Sequence, residues 1–303
     1  MNAPYDWQMP AWTELRNSLQ AKRLPHSLLI SGQAGVGKTA LARELARTGL
    51  CEAPELSACG QCDSCHQFAA GAHPDWIEIE KPQDKREILI DQIRAFCTDI
   101  QLTASQPRGR YAHIRDADAL NRASANALLK TLEEPPRGVT IMLSVSNLSR
   151  LPATIRSRCS RISIAMPSVD QARAFLGAQA EVPAHLLGRV GPCALAADDA
   201  SLDTLIKAEK DWQQVLERVG RDHDAISAAE AIDEAQFDAF LSWWQSRLLD
   251  DMKSGRQGMA QRRLWDALIK VRKDGQGSFN RLLALEGLFI LYLDLQARQR
   301  ERA

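Results

Sequence analysis

The stretch that decides the fold is Gly32-Gln33-Ala34-Gly35-Val36-Gly37-Lys38-Thr39, which has the spacing of a P-loop. An apolar run, Leu28-Leu29-Ile30, precedes it, and an amphipathic segment from Leu41 to Leu50 follows it. This order predicts a buried strand, a glycine-rich turn whose backbone N–H groups surround phosphate oxygens, and a helix whose amino end faces them. The motif therefore predicts a nucleotide-binding α/β domain in which Gly32, Gly35 and Gly37 shape the phosphate-binding loop.

The side chains around this loop have expected chemical roles. Lys38 would reach the outer phosphates of ATP, and Thr39 would hold magnesium. An ATPase is expected to carry two adjacent acidic groups at the end of a later strand, and this chain has Asp116-Ala117 there. Asp116 could order magnesium through water, but no carboxylate remains at Ala117 to position the attacking water, and Asp118 is expected to point elsewhere. The pattern predicts a phosphate cradle with weak or absent hydrolysis.

Composition limits the class of protein. The 303 residues suffice for two or three domains, each with its own core. Lys and Arg total 38 and so do Asp and Glu, so no global charge draws the chain to nucleic acid or to an anionic membrane. No signal peptide is evident, and the apolar stretch from Leu282 to Leu295 is too short to span a bilayer. We therefore expect a cytoplasmic protein in which this stretch is a buried helix.

Four of the seven cysteines are close in sequence, at Cys51, Cys59, Cys62 and Cys65. In a reducing cytosol such a group is not expected to form disulfides, and two-residue gaps let successive thiolates turn toward one point. Four thiolates at about 2.3 Å suit tetrahedral zinc with no open position for catalysis. We therefore expect structural Zn²⁺ in an insertion between the first P-loop helix and the next strand.

Other interpretations of the cysteines stay open. The stretch Cys62-Asp63-Ser64-Cys65-His66 has the pattern of c-type haem attachment, but that chemistry belongs outside the cytosol and leaves Cys51 and Cys59 unexplained. An iron–sulfur cluster would need another cysteine near Ala69, followed by proline, and the sequence lacks it. A metal-free set of thiols is the third alternative.

Strand and helix patterns alternate up to about residue 165. Besides the strand before the P-loop and the strand ending at Asp116, strands are predicted at Trp76 to Ile79, Thr140 to Val145 and Arg161 to Ile164. Helices are predicted where Leu89, Ile93, Phe96, Cys97 and Ile100 form one apolar face, and from Leu120 to Glu134 before Pro135-Pro136. Five strands with intervening helices predict a parallel sheet covered on both faces.

Three domains are predicted from these patterns. They are a P-loop domain at 1–165 with the cysteine module at about 51–65, a small helical domain at 166–208, and an all-helical domain at 209–303. Four tryptophans at helical spacing are expected in the core of the last domain rather than at a ligand: Trp212, Trp243, Trp244 and Trp265. The segment from Lys253 to Arg263 is expected to be a solvated connection.

The segment Ser124-Ala125-Asn126-Ala127-Leu128-Leu129-Lys130-Thr131-Leu132-Glu133-Glu134-Pro135-Pro136, with Ser157-Arg158-Cys159 downstream, closely resembles bacterial clamp-loader subunits of the AAA+ class. Together with Arg23 to Leu29 and the cysteine insertion, the resemblance covers residues 1 to about 165. It implies an AAA+ sheet, a helical lid and a helical collar for oligomerisation. It also implies loading of a sliding clamp on primed DNA for the DNA polymerase III holoenzyme, in a five-subunit ring with gamma/tau and delta subunits.

Within that resemblance, Arg158 falls at the position of an arginine finger, a guanidinium supplied in trans to a neighbouring subunit's nucleotide. Without the resemblance, it would be an ordinary surface arginine or a partner of Asp116. In the lid-like stretch from Gly188 to Leu195, Cys193-Ala194 stands where motor subunits carry a phosphate-sensing arginine, and Arg189 is offset by about a turn. The resemblance thus implies a rigid subunit that supplies a finger without independent catalysis, with ATP and Mg²⁺ still able to bind.

Two other functions stay open. A clamp-loader motor of the gamma/tau type would share the P-loop, the cysteine insertion and the arginine, but Ala117 argues against it. A P-loop nucleoside monophosphate kinase with a zinc lid would leave Leu128 to Pro136 and the C-terminal helical domain unexplained. Four further arginines are candidate contacts for DNA phosphates: Arg137, Arg150, Arg156 and Arg161.

Overall fold

A computed structural model describes residues 4–54, 57–82, 85, 87–101, 107–176, 192–195, 199–253, 258–274 and 280–300. The described chain divides into two compact units, the first containing residues 4–176 and 192–194 and the second the residues from 195 onward. The division at 165 and 208 remains a prediction, because residues 177–191 and 196–198 of the proposed lid lie outside the described residues.

A five-stranded parallel sheet forms the centre of the first unit, as the sequence predicts. Its strands are β1 Ser27–Ser31, β2 Trp76–Ile79, β3 Arg110–Ile114, β4 Val139–Val145 and β5 Ser160–Ser163, in the order β2-β3-β4-β1-β5. All of β1 is buried, which explains why Leu28 to Ile30 form an unbroken apolar run.

The first unit has helices on both faces of the sheet. They are α1 Met9–Gln20, α2 Lys38–Leu50, α3 Asp63–Ala69, α4 Ile90–Asp99, α5 Arg122–Glu133, α6 Ala153–Arg156, α7 Val169–Leu176 and α8 Pro192–Leu195. Leu28 and Ile30 of β1 pack with α1 and α2, whereas Leu29 packs with α4 and α5. Alternate residues of one strand therefore serve two separate layers of core.

Three predicted details differ from the structure. Strand β3 ends at Ile114, and Asp116 has a left-handed backbone with φ of 48° that starts a short 3-10 turn, Ala117–Ala119. Leu89 is 41% exposed because it lies at the amino end of α4, whereas Ile93, Phe96 and Ile100 are buried as predicted. The helix predicted from Leu120 begins later, since the side chain of Asn121 caps α5 by accepting from the Ser124 N–H at 2.9 Å.

The second unit is helical: α9 Asp199–Asp222, α10 Ala225–Glu230, α11 Phe237–Lys253, α12 Met259–Asp274 and α13 Arg281–Arg300. Trp212, Trp243 and Trp244 are buried in its core, and Trp265 packs against that core, as predicted. The predicted connection is wrong over residues 259–263, which are helical. Among the described helices of the whole chain, none is long and apolar enough to cross a membrane.

Helix α13 is buried on one side only, which corrects the expectation of a buried helix. Leu285, Leu288 and Phe289 lie in the core, but Leu283 is 65% and Ile290 is 60% exposed. The sequence does not indicate this difference, because apolar residues occur on both sides of the helix and no amphipathic pattern results.

Candidate functional site

The P-loop connects β1 to α2 as predicted, and its geometry requires glycine. Gly37 has φ of 86°, and a Cβ added there would lie 2.6 Å from Gln8 Nε2 and 2.7 Å from Tyr5 Cε2. Gly35 also has a positive φ, of 72°. At Gly32 a Cβ would lie 2.8 Å from the backbone oxygen of Ile164. Larger residues would therefore open the loop or displace the segment that covers it.

Lys38 turns its ammonium group into the loop. Its Nζ donates hydrogen bonds to Gly32 O at 3.0 Å, to Gln33 O at 2.8 Å and to Ser146 Oγ at 2.9 Å. Burial lowers the pKa of Lys38, and the nearby negative charges of Asp116 and Asp118 oppose that shift. Three protein oxygens thus bind the group expected to reach phosphate.

Thr39 lies next to Lys38 in the first turn of α2 and is half-buried. The amino end of this helix follows Gly37 directly, as the motif requires. Ser146, which follows β4, is the polar side chain that the adjacent strand contributes to the loop. The carboxyl ends of β1 and β4 therefore meet at the predicted phosphate site, since the two strands pair in parallel.

The acidic residues after β3 are arranged differently from the prediction. Ala117 is fully buried in the apolar core beside α4 and α5, so the expectation that position 117 faces an attacking water is wrong. Asp118 was expected to point elsewhere, yet its Oδ2 accepts from the Asn147 N–H at 3.0 Å and its charge acts on Lys38. The two carboxylates that influence the P-loop lysine are therefore Asp116 and Asp118, which are not adjacent in sequence.

Arg115 precedes Asp116 and is directed toward β2. Its backbone N–H donates to Ile79 O at 2.9 Å, and its Nη1 pairs with the Glu80 carboxylate. Whether the expected acidic pair is aligned on Arg115-Asp116 or on Asp116-Ala117, only one of the two positions is acidic. The sequence therefore has an incomplete acidic pair in either alignment, and its consequence for hydrolysis stays a prediction.

Residues near the amino terminus cover the P-loop, and sequence reasoning missed them. Trp7 Nε1 donates to Val36 O at 3.0 Å, and Gln8 Nε2 donates to Val36 O at 3.0 Å and to Gly37 O at 2.9 Å. No pattern in the sequence indicates these contacts, because each joins one side chain to a backbone oxygen of a distant segment. They fix the backbone of the loop at Val36 and Gly37, directly before α2 begins.

Cys193 is the described part of the lid-like stretch that touches the loop. Its backbone N–H donates to Gly35 O at 2.9 Å, and its thiol lies near Tyr5. Burial raises the pKa of Cys193 and that of Tyr5 to about 12, so both stay neutral. Arg189, the offset candidate for a phosphate sensor, lies outside the described residues.

Arg158 lies between α6 and β5, at the amino end of the sheet. Its Nε donates to Glu133 Oε1 at 2.7 Å, its Nη2 pairs with the same carboxylate, and its Nη1 donates to Thr154 O at 2.7 Å. The side chain is 33% exposed. The guanidinium is therefore paired with Glu133 at the end of α5, and the alternative of an intrachain partner at Asp116 is not what the structure shows.

The register of the sheet separates Arg158 from the P-loop of its own chain. Ser160 pairs with Leu28 in the parallel ladder of β5 and β1, so Arg158 is level with residue 26, six residues before Gly32. At about 3.3 Å per residue, this is a separation of about 20 Å along the strands. An arginine side chain cannot bridge that distance, so Arg158 cannot reach phosphates held by its own P-loop.

The four clustered cysteines come together as predicted. Their Sγ atoms all lie within 4.8 Å of one another, with Cys51 to Cys62 and Cys59 to Cys65 both at 4.0 Å. Tetrahedral zinc with Zn–S bonds of about 2.3 Å separates its sulfurs by about 3.8 Å. The cluster therefore has the donor type, the number of donors and nearly the spacing that a structural zinc ion requires.

Backbone N–H groups donate toward three of the four sulfurs, whereas burial raises the pKa of the Cys51 and Cys65 thiols. The Cys59 N–H lies 3.3 Å from Cys51 Sγ, the Gln61 N–H 3.5 Å from Cys59 Sγ, and the Cys65 N–H 3.4 Å from Cys62 Sγ. The N–H of Gln61, followed by that of Cys62, lowers the pKa of the Cys59 thiol to about 6. Such outer contacts hold metal ligands in place in structural sites.

The cysteine module is joined to the P-loop helix by buried hydrogen bonds. Ser64 Oγ donates to Leu50 O, the last residue of α2, at 2.8 Å, and lies 3.0 Å from His73 Nε2. The Asp75 N–H donates to His73 Nδ1 at 3.1 Å, so Nδ1 is the acceptor and Nε2 carries the proton. The module therefore contacts the nucleotide-binding half of the fold through the far end of α2.

Comparisons with known proteins agree with this architecture. A family described as "DNA polymerase III, delta subunit" matches residues 7–168. DNA polymerase III subunit delta-prime of Pseudomonas aeruginosa is 37% identical over 200 residues, which are 64% of this chain and 60% of that protein. The Escherichia coli subunit of that name is 31% identical over 264 residues, 85% of this chain and 78% of that protein. The chain thus spans less than two thirds of the Pseudomonas relative.

More distant similarities extend to other subunits. DNA polymerase III subunit tau of Salmonella typhimurium is 34% identical over 245 residues, which are 76% of this chain and 38% of that protein. A gamma subunit-related protein of Thermotoga maritima superposes with a TM-score of 0.51 at 16% identity, covering 94% of this chain and 99% of that one. The latter similarity concerns the fold alone.

Proposed function

The chain belongs to the family of DNA polymerase III delta-prime subunits, and we propose that it is a stator subunit of a bacterial clamp loader. In this role it supports ATP-driven loading of a sliding clamp on primed DNA while turning over little or no ATP itself. The observation that carries the proposal is the position of Arg158. It lies at the amino end of the sheet, about 20 Å along the strands from its own P-loop.

Arg158 is proposed to act in trans on a neighbouring subunit's nucleotide. A guanidinium is a permanent planar charge, and it stabilises the charge that develops during phosphoryl transfer. Since its own nucleotide site is out of reach, any ATP phosphate that Arg158 contacts must be held by another chain. Partial exposure of the side chain and its anchoring by Glu133 and Thr154 support this role.

The chain's own P-loop is proposed to bind ATP with Mg²⁺ without hydrolysing it effectively. Lys38 would bind the phosphates, and Thr39 and Asp116 would hold magnesium, which would neutralise phosphate charge when bound. The glycine geometry of the loop fits a phosphate group. However, Asp118 accepts from the Asn147 N–H, which leaves Asp116 for both magnesium binding and water activation, and Lys38 must leave three protein oxygens to reach phosphate.

The cysteine cluster is proposed to hold one structural Zn²⁺ per chain. Four sulfurs close to tetrahedral spacing leave no open coordination position, so the metal would stabilise the module and take no part in catalysis. Clustered cysteines that bind metal instead of forming disulfides are typical of a reducing compartment, so a cytoplasmic location is part of the proposal.

The helical second unit is proposed to provide the collar through which the subunit joins gamma/tau and delta subunits in a five-membered ring. Leu283, Gly287 and Ile290 follow one another at helical spacing on α13; both large side chains are exposed, and no atom lies within 4 Å of a Cβ built at Gly287. An exposed apolar stripe of this kind is typical of a helix that packs against a partner. The sliding clamp and primer-template DNA would be reached through the assembled ring.

Steady-state ATPase assays separate this proposal from a gamma/tau-type motor, which the similarity to tau favours. We expect negligible turnover by the isolated chain, and formation of a clamp-loading complex when it is mixed with motor and clamp-opening subunits. Turnover by the isolated chain that disappears in Lys38→Ala would support the motor instead. Failure to join the complex would contradict the stator proposal.

A further inference from the structure

A basic cleft lies at the amino end of the sheet, away from the P-loop. It has a volume of about 810 Å³, and its walls come from the end of α1 and from the segments that lead into β1, β3 and β4. Four basic side chains line it: Lys22, His26, Arg108 and Arg137. None of the described residues that line the cleft is acidic. A chain with zero net charge thus concentrates positive charge in one concave place.

A smaller hollow continues the basic cleft and adds one more cation. It shares Leu19, Gly49 and Arg108 with the cleft, and it is also lined by Arg16. The Nε of Arg16 is buried and has no hydrogen-bond partner within the described part of the chain. Buried donors are rarely left unsatisfied, so the Nε–H of Arg16 is a donor for which this part of the chain supplies no acceptor.

Glycines give the basic cleft a floor of backbone. Gly109 and Gly138 both have positive φ, of 86° and 76°, and a Cβ at Gly109 would clash with the Gly138 carbonyl oxygen. At Gly138 the nearest atom to such a Cβ is 3.7 Å away, so the floor is open on that side. A bulky charged group can therefore approach the main chain between the basic side chains.

Lys22 occupies a backbone position that favours glycine. Its φ is 54°, its N–H donates to Leu19 O at 3.0 Å, and the Arg23 N–H donates to Ser18 O at 2.9 Å. These two bonds form a Schellman end to α1, in which the left-handed residue is usually glycine. The end of α1 therefore carries a lysine where glycine would be less strained. Strained residues of this kind occur most often at binding and catalytic sites, which makes Lys22 a candidate binding residue.

We propose that the basic cleft binds the phosphodiester backbone of nucleic acid. Lysine and arginine side chains from different segments of the lining suit phosphate groups, and contacts to the phosphodiester backbone are independent of base sequence. Tyr111 is the aromatic side chain that lines the cleft, and it is 4% exposed, so base stacking contributes little.

The choice of nucleic acid over an acidic protein segment rests on the proposed function in clamp loading. Of the four arginines predicted to contact DNA, only Arg137 lines the cleft. Arg150 follows β4 whereas Arg137 precedes it, and seven strand residues separate them by about 20 Å.

The test measures binding of the intact chain to a fluorescent 30-nucleotide single strand and to the matching duplex, by anisotropy across a salt series. Lys22→Gly removes one charge while relieving backbone strain, so its thermal stability is expected to be unchanged or higher. Lys22→Gly is expected to weaken binding several-fold and to reduce the slope of log K against log salt by about 1. The double variant Lys22→Gly/Arg137→Ser is expected to weaken binding more than tenfold. Arg262→Ser, an exposed arginine of the second unit, is the charge-matched control.

Several outcomes would overturn the inference. Equal DNA binding by the cleft variants and the control would do so, as would cleft variants that lose binding to polyglutamate but keep full DNA affinity, since the ligand would then be an acidic protein segment. Competition by inorganic phosphate at millimolar concentration with no oligonucleotide binding would assign the cleft to free phosphate. If the wild-type chain binds DNA through the cleft but supports no clamp loading, the proposed function fails while this inference stands.

Discussion

Each end of the parallel sheet carries a cationic side chain that is expected to contact phosphate, but the two side chains differ in their exposure. At the carboxyl end, Lys38 is 7% exposed, is bonded to three protein oxygens and lies in a loop fixed by Trp7 and Gln8. At the amino end, Arg158 is one-third exposed, and its carboxylate partner Glu133 is itself 47% exposed. Lys38 is thus enclosed by groups of its own chain, whereas Arg158, although paired with Glu133, stays partly accessible to another molecule.

This difference indicates how a nucleotide-binding fold can contribute to ATP hydrolysis in a partner subunit without hydrolysing ATP itself. The P-loop is connected to the core by β1 and α2, and α2 is bonded to the cysteine module, so the residues at the carboxyl end of the sheet contribute to folding. Arg158, at the amino end of the sheet, lies in a short surface connection between α6 and β5, where a side chain can contact a partner without disturbing the core. Changes at the two ends should therefore have different consequences for stability and for activity.

The largest expected effect concerns the metal. We expect about one tightly bound zinc per chain by elemental analysis, and Cys59→Ser should weaken zinc binding by more than the 10–100-fold that loss of an outer contact costs, because a ligand itself is removed. Local unfolding should spread to the end of α2 through Ser64 and Leu50, detectable by hydrogen exchange. Iron in place of zinc, or a reduced protein without metal, would refute the assignment.

A matched pair of glycine substitutions compares the two ends directly. Gly37→Ala should destabilise the fold by about 2–4 kcal/mol, because a left-handed backbone and contacts to Tyr5 and Gln8 both oppose a Cβ. Gly138→Ala, at the amino end, should cost about 1 kcal/mol, since only the backbone conformation opposes it. Chemical denaturation measures both values, and equal costs would contradict the contrast between the two ends.

An acid-sensitive contribution is expected on the P-loop side. Burial alone would raise the pKa of Glu78, but hydrogen bonds from His113 and Arg43 lower it to about 2. Because the folded value lies below the ordinary value of 4.5, this stabilisation is present above about pH 4.5 and is lost as the pH falls toward 2. Glu78→Gln should cost about 1–3 kcal/mol at neutral pH and flatten the acid limb of the stability profile.

Glu80→Gln is the control for that profile, because Glu80 lies one residue beyond β2 and is 56% exposed. It should leave the profile nearly unchanged. If Glu80→Gln flattens the acid limb of the profile and Glu78→Gln does not, the acid-sensitive stabilisation cannot be assigned to Glu78.

The smallest expected change in stability belongs to the finger. Glu133→Gln should alter the free energy of unfolding by less than about 1 kcal/mol, because exposed ion pairs contribute little. In a reconstituted complex it should nevertheless lower stimulated ATPase several-fold, since the guanidinium loses the group that orients it. Asp91→Asn, which breaks the exposed pair with Arg94, is the control and should affect neither property.

The sequence was sufficient for the sheet and for the positions of the glycines, lysine and cysteines. Central strands buried on both sides are uniformly apolar, and the P-loop and the cysteine spacing are local patterns that one helix or one loop can satisfy. The contacts of Tyr5, Trp7 and Gln8 could not be predicted in this way, because they depend on tertiary packing between distant segments.

The prediction about Ala117 failed for a related reason. Assigning it to the water-facing position assumed that β3 continued to Asp116, but the chain turns at Asp116 through a left-handed residue and sends the next side chain into the core. A single left-handed residue that is not glycine leaves no mark in a sequence pattern. The same turn directs Asp118 back toward Asn147, against expectation.

Single-turnover ATP hydrolysis in the reconstituted complex distinguishes action of Arg158 in trans from turnover at the chain's own P-loop. With Arg158→Ala, hydrolysis at the neighbouring site should slow on the order of 10³-fold while assembly and zinc content stay intact, and Arg158→Lys should not restore it because a point charge cannot replace the planar fork. Lys38→Ala, compared in parallel, should change that rate by less than about twofold. A rate that is insensitive to Arg158→Ala but abolished by Lys38→Ala would contradict the account and identify the chain as a motor.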